Sequence, residues 1–211
     1  MAHKITGIYA IVDPQAGGGK LSPLEIASDL LTGGVRVIQL RQKQGTPGDI
    51  ELNAHEILDL KSEHDFTFIL NDDPMLAARV GADGVHLGAR DMPVREARRI
   101  LGSAKIIGKS THSAAEAVAA QKEGADYISC GAIFPSPTKN DPGHPVIGVG
   151  MLKEILDMVR VPVVAIGGIN RINIMDILRT RVPSVALISA LLGAEDIEAE
   201  ARFFSSLFQL H

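Results

Sequence analysis

The chain contains a single cysteine and no long apolar run, and both absences exclude classes of protein. One cysteine, Cys130, among 211 residues rules out an internal disulfide framework and is typical of a reducing compartment. The apolar stretch near the start breaks at Asp13, which is too short for a secretory signal, and no later stretch approaches the length of a membrane span. We therefore expect a cytoplasmic protein without a membrane partner.

The chain also lacks a large excess of acidic or basic residues, with 25 Asp and Glu against 21 Lys and Arg. The formal net charge is -4 and the isoelectric point is near 6.0, so nothing general attracts nucleic acid, and any anion site must be local. With 45% hydrophobic and 22% charged residues, the chain can bury a full core. No linker or low-complexity segment interrupts it, which predicts one domain over residues 1–211.

Short runs rich in Ile, Val and Leu alternate with longer segments whose apolar residues recur every three or four positions. This alternation is typical of βα units around a parallel sheet. The predicted helices include Ile50 to Ser62, Val94 to Leu101, Ala114 to Lys122, Met151 to Val159 and Ile172 to Arg179. The predicted strands are Ile5 to Val12, Val35 to Leu40, Thr67 to Leu70, Gly84 to Leu87, Lys105 to Gly108, Tyr127 to Cys130, Val161 to Ile166 and Val185 to Ile188.

Eight such units close most simply into a (β/α)₈ barrel of the TIM type, in the α/β class. Two turns repeat, Gly81 to Val85 and Gly124 to Ile128, each with a glycine that ends a helix before the next strand. A doubly wound open sheet is the alternative. It usually carries a G-x-G-x-x-G turn after the first strand, and Gly17 to Gly19 lacks that spacing.

Opposite charges follow the second, third and fourth predicted strands. Arg41 and Lys43 follow one, Asp72 the next, and Asp91 comes shortly after the third. In a barrel, active sites lie at the carboxyl ends of the strands, so these side chains would meet in one cleft. Cations and carboxylates together suit a diphosphate held through a magnesium ion. Asp73, followed by a proline, is predicted to cap a helix, which leaves Asp72 for the site.

Several of these residues also have ordinary structural interpretations. Taken alone, Asp91 could equally begin a helix, and Ser113 fits a capping box, which leaves Ser110 as a candidate. Cys130 ends a buried run and is better explained as a small core residue than as a nucleophile. His86 could be a hydrogen-bonded histidine of the barrel interior.

Two further segments point to phosphate. Lys139 follows two hydroxyls in a proline-rich loop after the sixth strand, where its ammonium could bind phosphate oxygens. Gly167 and Gly168 follow the seventh strand, and Ser189 the eighth; in barrels these two loops commonly bind phosphate. Two anion sites in one cleft imply two phosphorylated ligands.

As a spaced set, these residues resemble the thiamine phosphate synthases, and the resemblance covers nearly the whole chain. It implies a (β/α)₈ barrel that condenses 4-amino-2-methyl-5-(diphosphooxymethyl)pyrimidine with a thiazole phosphate, releasing diphosphate and forming thiamine phosphate with Mg²⁺. The matching stretches are Gly7 to Asp13, Gln39 to Lys43, Asn71 to Asp73, Gly81 to Gly88, Ile107 to His112, Pro135 to Lys139 and Ala165 to Ile169.

The resemblance also implies roles for individual residues. Asp72 and Asp91 would bind Mg²⁺, and Arg41, Ser110 and Lys139 would act in catalysis. The residues implied for the pyrimidine diphosphate are Gln39, Leu40, Arg41, Gln42, Lys43, Asn71, Ser110 and Lys139. Those implied for the thiazole phosphate are Ser136, Pro137, Thr138, Gly168, Ile188 and Ser189.

The chain departs from the family pattern at a few positions. Ser136 stands where threonine is commoner, and Gln42 and Gln44 replace residues that are often Glu and Gly. Before the eighth strand, Arg181 to Ser184 replaces the usual Gly-Ala-Asp-Gly turn, which bears on the placement of the residues after that strand. The preferred thiazole variant stays open, as does assembly into a homo-oligomer.

Three alternative functions remain. Thiazole tautomerases share the barrel but carry a catalytic histidine where this chain has Ala132, and they lack the metal carboxylates. A metal-dependent sugar-phosphate epimerase would need His and Asp ligands around one metal, a pattern that His86 and His112 do not give. A non-catalytic module that binds phosphate ligands is the third.

Overall fold

The computed structural model describes residues 5–135 and 146–209. The eight strands lie in chain order and are parallel, and β1 also pairs with β8, so the sheet closes into a barrel. This confirms the predicted (β/α)₈ architecture. The strands are β1 (Gly7–Val12), β2 (Val37–Leu40), β3 (Thr67–Asn71), β4 (Gly84–Leu87), β5 (Ile106–Thr111), β6 (Tyr127–Cys130), β7 (Val163–Ile166) and β8 (Ser184–Leu187).

Helices connect successive strands and surround the barrel. No helix among the described residues is both long and apolar enough to cross a membrane. A short 3₁₀ turn, Leu60–Ser62, extends the second helix. The helices are α1 (Pro23–Thr32), α2 (Pro47–Asp59), α3 (Pro74–Val80), α4 (Val94–Leu101), α5 (Ala114–Glu123), α6 (Gly148–Met158), α7 (Ile174–Leu178), α8 (Ser189–Leu192) and α9 (Ile197–Gln209).

The strands bury both of their faces, because successive side chains point alternately inward and outward. Outward residues such as Ile38, Leu40 and Phe68 pack against the helices in one large core. Inward residues form a second, smaller cluster inside the barrel, which includes Tyr9 and Tyr127. The alternation continues past the strand ends, so it decides which polar residues face the mouth of the barrel.

Local signals at the helix ends fix the loops at the carboxyl ends of the strands. Asp73 caps α3 as predicted, accepting a hydrogen bond from the Leu76 N–H at 2.9 Å. Ser113 likewise accepts from the Glu116 N–H at 3.2 Å, but the Glu116 carboxylate accepts from the His112 N–H, so the capping box is only half formed. A cap of this kind stabilises a helix by about 1 kcal/mol.

The turns at the amino ends of the strands hold neighbouring strands together. Gly81 and Gly124 end their helices in the left-handed conformation, at φ 77° and 99°, where glycine carries no Cβ penalty. In the same turns, Asp83 accepts a hydrogen bond from the Phe68 N–H and Asp126 accepts one from the Ile107 N–H, each at 2.7 Å. These carboxylates therefore fix the spacing between adjacent strands.

The turn before β8 reaches the same register with different residues. Arg181 adopts φ 60° there, a left-handed conformation uncommon for a residue with a side chain. Ser184 donates a hydrogen bond from its hydroxyl to the Gly7 carbonyl at 3.0 Å and pairs with Gly7 across the barrel seam. The altered turn thus leaves the closure of the barrel intact.

Two strand boundaries differ from the prediction in ways that concern function. β5 continues to Thr111 because Ser110 pairs with Ser129 of β6, so Ser110 lies within a strand rather than in a loop. β8 ends at Leu187, and Ile188 precedes the first residue of α8. The end of β5 was missed because Ser110 and Thr111 are polar, and the prediction relied on apolar runs.

Candidate active site

An ion pair between the ends of β1 and β2 lies at the mouth of the barrel. The Arg41 guanidinium contacts the carboxylate of Asp13, whose side chain is only 7% exposed. The same carboxylate accepts a hydrogen bond from the Gln15 N–H at 3.1 Å. Because Asp13 is held by its own loop, it fixes where the Arg41 cation lies.

Two carboxylates and a lysine meet beyond the ends of β3 and β4. Lys43 forms an ion pair with Asp72, and Asp91 accepts a hydrogen bond from the Gly88 N–H at 2.6 Å. Burial is the main cause that raises the pKa of Asp91, and the adjacent Asp72 carboxyl group raises it further. Repulsion between two neighbouring carboxylates is what a bound cation would relieve.

The backbone at Asp72 is unusual. Asp72 adopts φ 67°, one of two positive φ values among the described residues other than glycine, and its N–H donates to the His86 carbonyl at 2.8 Å. Such conformations cost of order 1–3 kcal/mol and cluster at functional sites. Asp91 does not cap a helix, since Pro93 precedes α4 instead, and Asp73 caps α3, so neither Asp72 nor Asp91 is used as a helix cap.

The donor set fits Mg²⁺ that is shared with a substrate. Within residues 5–135 and 146–209, no group of three or more His, Cys, Asp or Glu side chains could hold a metal. Mg²⁺ is usually bound through one or two carboxylates together with substrate phosphates and water. Asp72 and Asp91 match that arrangement, with the rest of the coordination left to the ligand.

A hydrogen-bonded series of side chains starts at the mouth beside this cluster and enters the barrel. The Gln39 amide donates from Nε2 to Asn71 Oδ1 at 2.6 Å. The Tyr9 hydroxyl donates to Gln39 Oε1 at 2.8 Å. Gln39 is only 2% exposed, so its amide is held in one orientation by partners on both sides.

The series crosses the barrel and returns to the mouth at β5. The Tyr9 and Tyr127 hydroxyls lie 2.8 Å apart, and the Tyr127 hydroxyl lies 2.9 Å from His86 Nδ1. His86 Nε2 lies 2.9 Å from Ser110 Oγ and 3.3 Å from Ser129 Oγ. His86 is therefore a hydrogen-bonded interior histidine, as the sequence suggested, and it connects Ser110 to the network.

Two residues assigned to the pyrimidine diphosphate lie away from this cluster. The Leu40 side chain is 1% exposed and packs toward the helices, so only its main chain could face the cleft. Gln42 accepts a hydrogen bond from Asn53 Nδ2 at 2.7 Å. It borders a cavity of about 140 Å³ between the first two βα loops, lined also by Pro14, Gln15, Pro23, Gln44 and Asn53.

The loops after β6 and β7 approach each other closely on the far side of the mouth. Gly167 and Gly168 have φ values of 101° and 67°, and a Cβ on Gly168 would lie 2.4 Å from the Pro135 carbonyl oxygen. Within the described part of the chain, the Gly168 N–H donates to no protein acceptor. Ile188 and Ser189 stand at the start of α8. At position 168, glycine is therefore required both by the backbone conformation and by the lack of space for a Cβ.

Four predicted site residues fall in the segment 136–145, outside the described residues. They are Ser136, Pro137, Thr138 and Lys139.

Sequence reasoning missed several side chains that the fold brings to the site. Tyr9 and Tyr127 are fully buried in the barrel, and burial is the largest cause that raises the pKa of each. Asp13 matched the family motif, but its contact with Arg41 was not foreseen. The two-residue period was the available signal, because it places Tyr9 of β1 and Asp13, the first residue after that strand, on the same face.

The structure confirms that Cys130 is a core residue. It is completely buried and belongs to the core between barrel and helices. Burial raises the pKa of its thiol to about 12. A thiol that stays protonated and inaccessible is not a nucleophile.

Comparison with known proteins identifies the family. The family model described as thiamine monophosphate synthase matches residues 8–191. The chain is 41% identical over 201 residues to the thiamine-phosphate synthase of Methanospirillum hungatei, covering 95% of this chain and 97% of that protein. It is 38% identical over 200 residues to the thiamine-phosphate synthase of Clostridium novyi, covering 95% and 97%.

A solved structure agrees as well. The thiamine phosphate pyrophosphorylase from Pyrococcus furiosus superimposes with a TM-score of 0.88 at 36% identity, covering 97% of this chain and 96% of that one. The family match spans most of the barrel and includes Arg41, Asp72, Asp91 and Ser110 within its limits. The chain therefore belongs to the thiamine monophosphate synthase family and is a transferase.

Proposed function

We propose that the protein condenses 4-amino-2-methyl-5-(diphosphooxymethyl)pyrimidine with 4-methyl-5-(2-phosphooxyethyl)thiazole, or its carboxylated form, to give thiamine phosphate and diphosphate. The observation that carries this proposal is the meeting of Asp72, Asp91 and Lys43 at the mouth, next to the Arg41 and Asp13 pair. Carboxylates for a metal and cations for phosphate oxygens lie together there.

The cationic side chains would act on the leaving group. Breaking the carbon–oxygen bond moves negative charge onto diphosphate, so fixed cations stabilise the transition state more than the ground state. Arg41 is fixed by Asp13, while Lys43 is 52% exposed and can turn from Asp72 to a phosphate. Lys139 is assigned to the same diphosphate by the family resemblance.

Asp72 and Asp91 would hold Mg²⁺. Once bound, this ion would neutralise charge on the diphosphate oxygens. Because Lys43 contacts Asp72 in this structure, ion binding would release Lys43 toward the substrate. The two carboxylates would then be separated by an opposite charge instead of repelling each other.

The pyrimidine would lie between the Gln39 and Ser110 sides of the mouth. Its ring carries donors and acceptors, and Gln39, Asn71 and Ser110 present matching polar atoms at the mouth of the barrel. No nucleophilic side chain is needed. We propose a dissociative route in which a pyrimidine-methyl cation, stabilised by the ring amino group, is captured by the thiazole nitrogen held nearby.

The thiazole phosphate would occupy the opposite side of the mouth. The Gly168 N–H, which has no protein acceptor among the described residues, and the start of α8 at Ser189 suit phosphate oxygens. The resemblance adds the remaining contacts. The residues assigned to this phosphate are Ser136, Pro137, Thr138, Gly168, Ile188 and Ser189.

The test is a direct assay. Purified protein is mixed with both phosphorylated heterocycles, with and without Mg²⁺, and thiamine phosphate and diphosphate are measured together. We expect equal amounts of both products, and only with Mg²⁺. Asp72→Ala should abolish the dependence on Mg²⁺ along with most of the activity.

Other outcomes would favour other functions. Isomerisation of a thiazole phosphate without pyrimidine would favour the tautomerase, although Ala132 offers a methyl group where that reaction needs a proton carrier. Tight binding of both heterocycles without turnover would favour a binding module. Either result would contradict the proposal.

A further inference from the structure

We propose that Tyr127 is a positioning residue that holds His86 as the Nδ1–H tautomer, so that the Ser110 hydroxyl donates to His86 and turns its lone pairs toward the cleft. The proposal concerns the hydrogen-bonded series inside the barrel. Its consequence for catalysis rests on the function proposed above, whereas the tautomer itself does not.

The direction of the series is set at Gln39. Its Nε2 faces Asn71 Oδ1, so its Oε1 faces Tyr9 and can only accept. Tyr9 must therefore donate its one hydroxyl proton to Gln39. The Tyr9 oxygen remains as an acceptor for the next hydroxyl, 2.8 Å away.

The donor and acceptor of each remaining hydrogen bond follow in the same way, because each hydroxyl has one proton. Tyr127 donates its single proton to Tyr9, so its oxygen accepts from His86 Nδ1 at 2.9 Å. A neutral histidine carries one ring proton, which is then on Nδ1. Nε2 has a lone pair, and Ser110 Oγ at 2.9 Å donates to it. Ser129 Oγ lies 3.3 Å from the same nitrogen and 3.4 Å from Ser110 Oγ, so Ser129 can donate to Ser110 while Ser110, at the shorter distance, donates to His86.

Burial in the barrel interior keeps both tyrosine hydroxyls protonated and the hydrogen bonds in these directions. Burial raises the pKa of the Tyr9 hydroxyl well above its ordinary value and also raises that of Tyr127, so both remain neutral donors. The Tyr127 ring reaches across because residue 108 is glycine: a Cβ there would lie 2.1 Å from Tyr127 Cζ. Reversing one bond alone, while the others keep their direction, would leave a buried group unpaired, which costs about 1–3 kcal/mol.

The orientation of Ser110 has a chemical consequence. A hydroxyl that donates to His86 becomes a stronger acceptor, so Ser110 is suited to accept from an N–H rather than to donate to a phosphate oxygen. In the proposed reaction, the ring amino group gains positive charge as diphosphate departs. Ser110 would stabilise that charge by accepting from the amino group.

The test uses the intact protein without substrates. Uniformly ¹⁵N-labelled protein is examined by NMR at about pH 8.5, where an ordinary histidine is neutral. The His86 signals are identified among the seven histidines by their loss in His86→Gln. We expect a protonated, pyrrole-type Nδ1 and an unprotonated, pyridine-type Nε2. The opposite assignment would overturn the proposal.

Two variants test the role of Tyr127. Tyr127→Phe removes the acceptor for Nδ1–H, and we expect His86 to shift to the Nε2–H tautomer. Tyr9→Phe removes the acceptor for the Tyr127 proton and should cause the same shift, which keeps the test available if one variant fails to fold. Thr111→Val is the matched control: it deletes a buried hydroxyl of β5 that donates to the Ser129 carbonyl and lies outside the series, and the wild-type tautomer should persist.

Kinetics supply the second measurement. Tyr127→Phe should lower kcat about 10-fold, the worth of one buried hydrogen bond, with little change in KM for the thiazole phosphate. An unchanged tautomer in Tyr127→Phe would overturn the assignment. If the wild-type spectrum is as expected but no thiamine phosphate forms, the proposed function fails while the tautomer assignment stands.

Discussion

Gly108→Ala is the sharpest perturbation that the structure offers away from the charged residues. Gly108 lies in β5, opposite the Tyr127 ring, and an added Cβ would be 2.1 Å from Cζ and 2.4 Å from the hydroxyl oxygen. Carbon contacts are comfortable only at about 3.5–4.0 Å. The ring must therefore move by more than about 1 Å, in an interior where Tyr127 is fully buried.

The cost follows from packing and from the hydrogen bonds at the ring. Overpacking a close-packed interior costs about 1–3 kcal/mol. Displacing the Tyr127 hydroxyl also weakens its bonds to Tyr9 and His86, each worth about 1 kcal/mol. The free energy of unfolding should fall by about 2–5 kcal/mol. At about 2–4 °C per kcal/mol for a chain of this size, Tm falls by roughly 4–20 °C.

Urea denaturation and thermal melts measure the change directly. Gly150→Ala is the matched control, because it is the same substitution in α6 with no heavy atom within 4 Å of the added Cβ. We expect that variant to be at least as stable as the wild type. If Gly108→Ala stayed within about 0.5 kcal/mol of the wild type, the range of an uninvolved substitution, the position of Tyr127 inside the barrel would be wrong.

Three further predictions concern the site and the core. Asp13→Asn should lower kcat by roughly 10-fold while leaving the protein folded, since Arg41 loses the charge of its partner but keeps a hydrogen bond; a steady-state comparison with the wild type that found equal kcat would contradict the role of Asp13. Ser189→Asp should raise KM for the thiazole phosphate by repelling its charge, with the KM for the pyrimidine diphosphate as the internal control; an equal rise in both would argue against separate anion sites. Burial raises the pKa of Cys130 to about 12, so the thiol is neutral below that pH, and Ellman's reagent at about pH 8 should label it only after unfolding; rapid labelling of native protein would refute the burial.

Much of the barrel could be predicted from the sequence because its signals are local. Each βα unit carries its own apolar run, capping residue and stop signal, so Asp73 and Gly81 could be assigned without knowledge of distant contacts. β5 was predicted too short because Ser110 and Thr111 are polar. A polar end to a strand looks like a loop when the pairing partner is unknown.

The candidate site was predictable as a set of residues but not as a geometry. Strand-end charges identified Arg41 and Asp72, and the resemblance added Ser110. The partner of Arg41 is Asp13, 28 positions earlier in the chain. No local pattern relates two residues at that separation.

The amino-acid sequence by itself determined the eight alternating strands and helices, the family, and the end of the barrel where the candidate site lies. The tertiary structure alone decided which side chains touch: it joined Tyr9 of β1 to Tyr127 of β6 and gave Ser110 a histidine partner from β4. The physical reason is barrel closure. Period-two alternation assigns a residue to the interior, but only the register of all eight strands decides which interior residues come within hydrogen-bond distance.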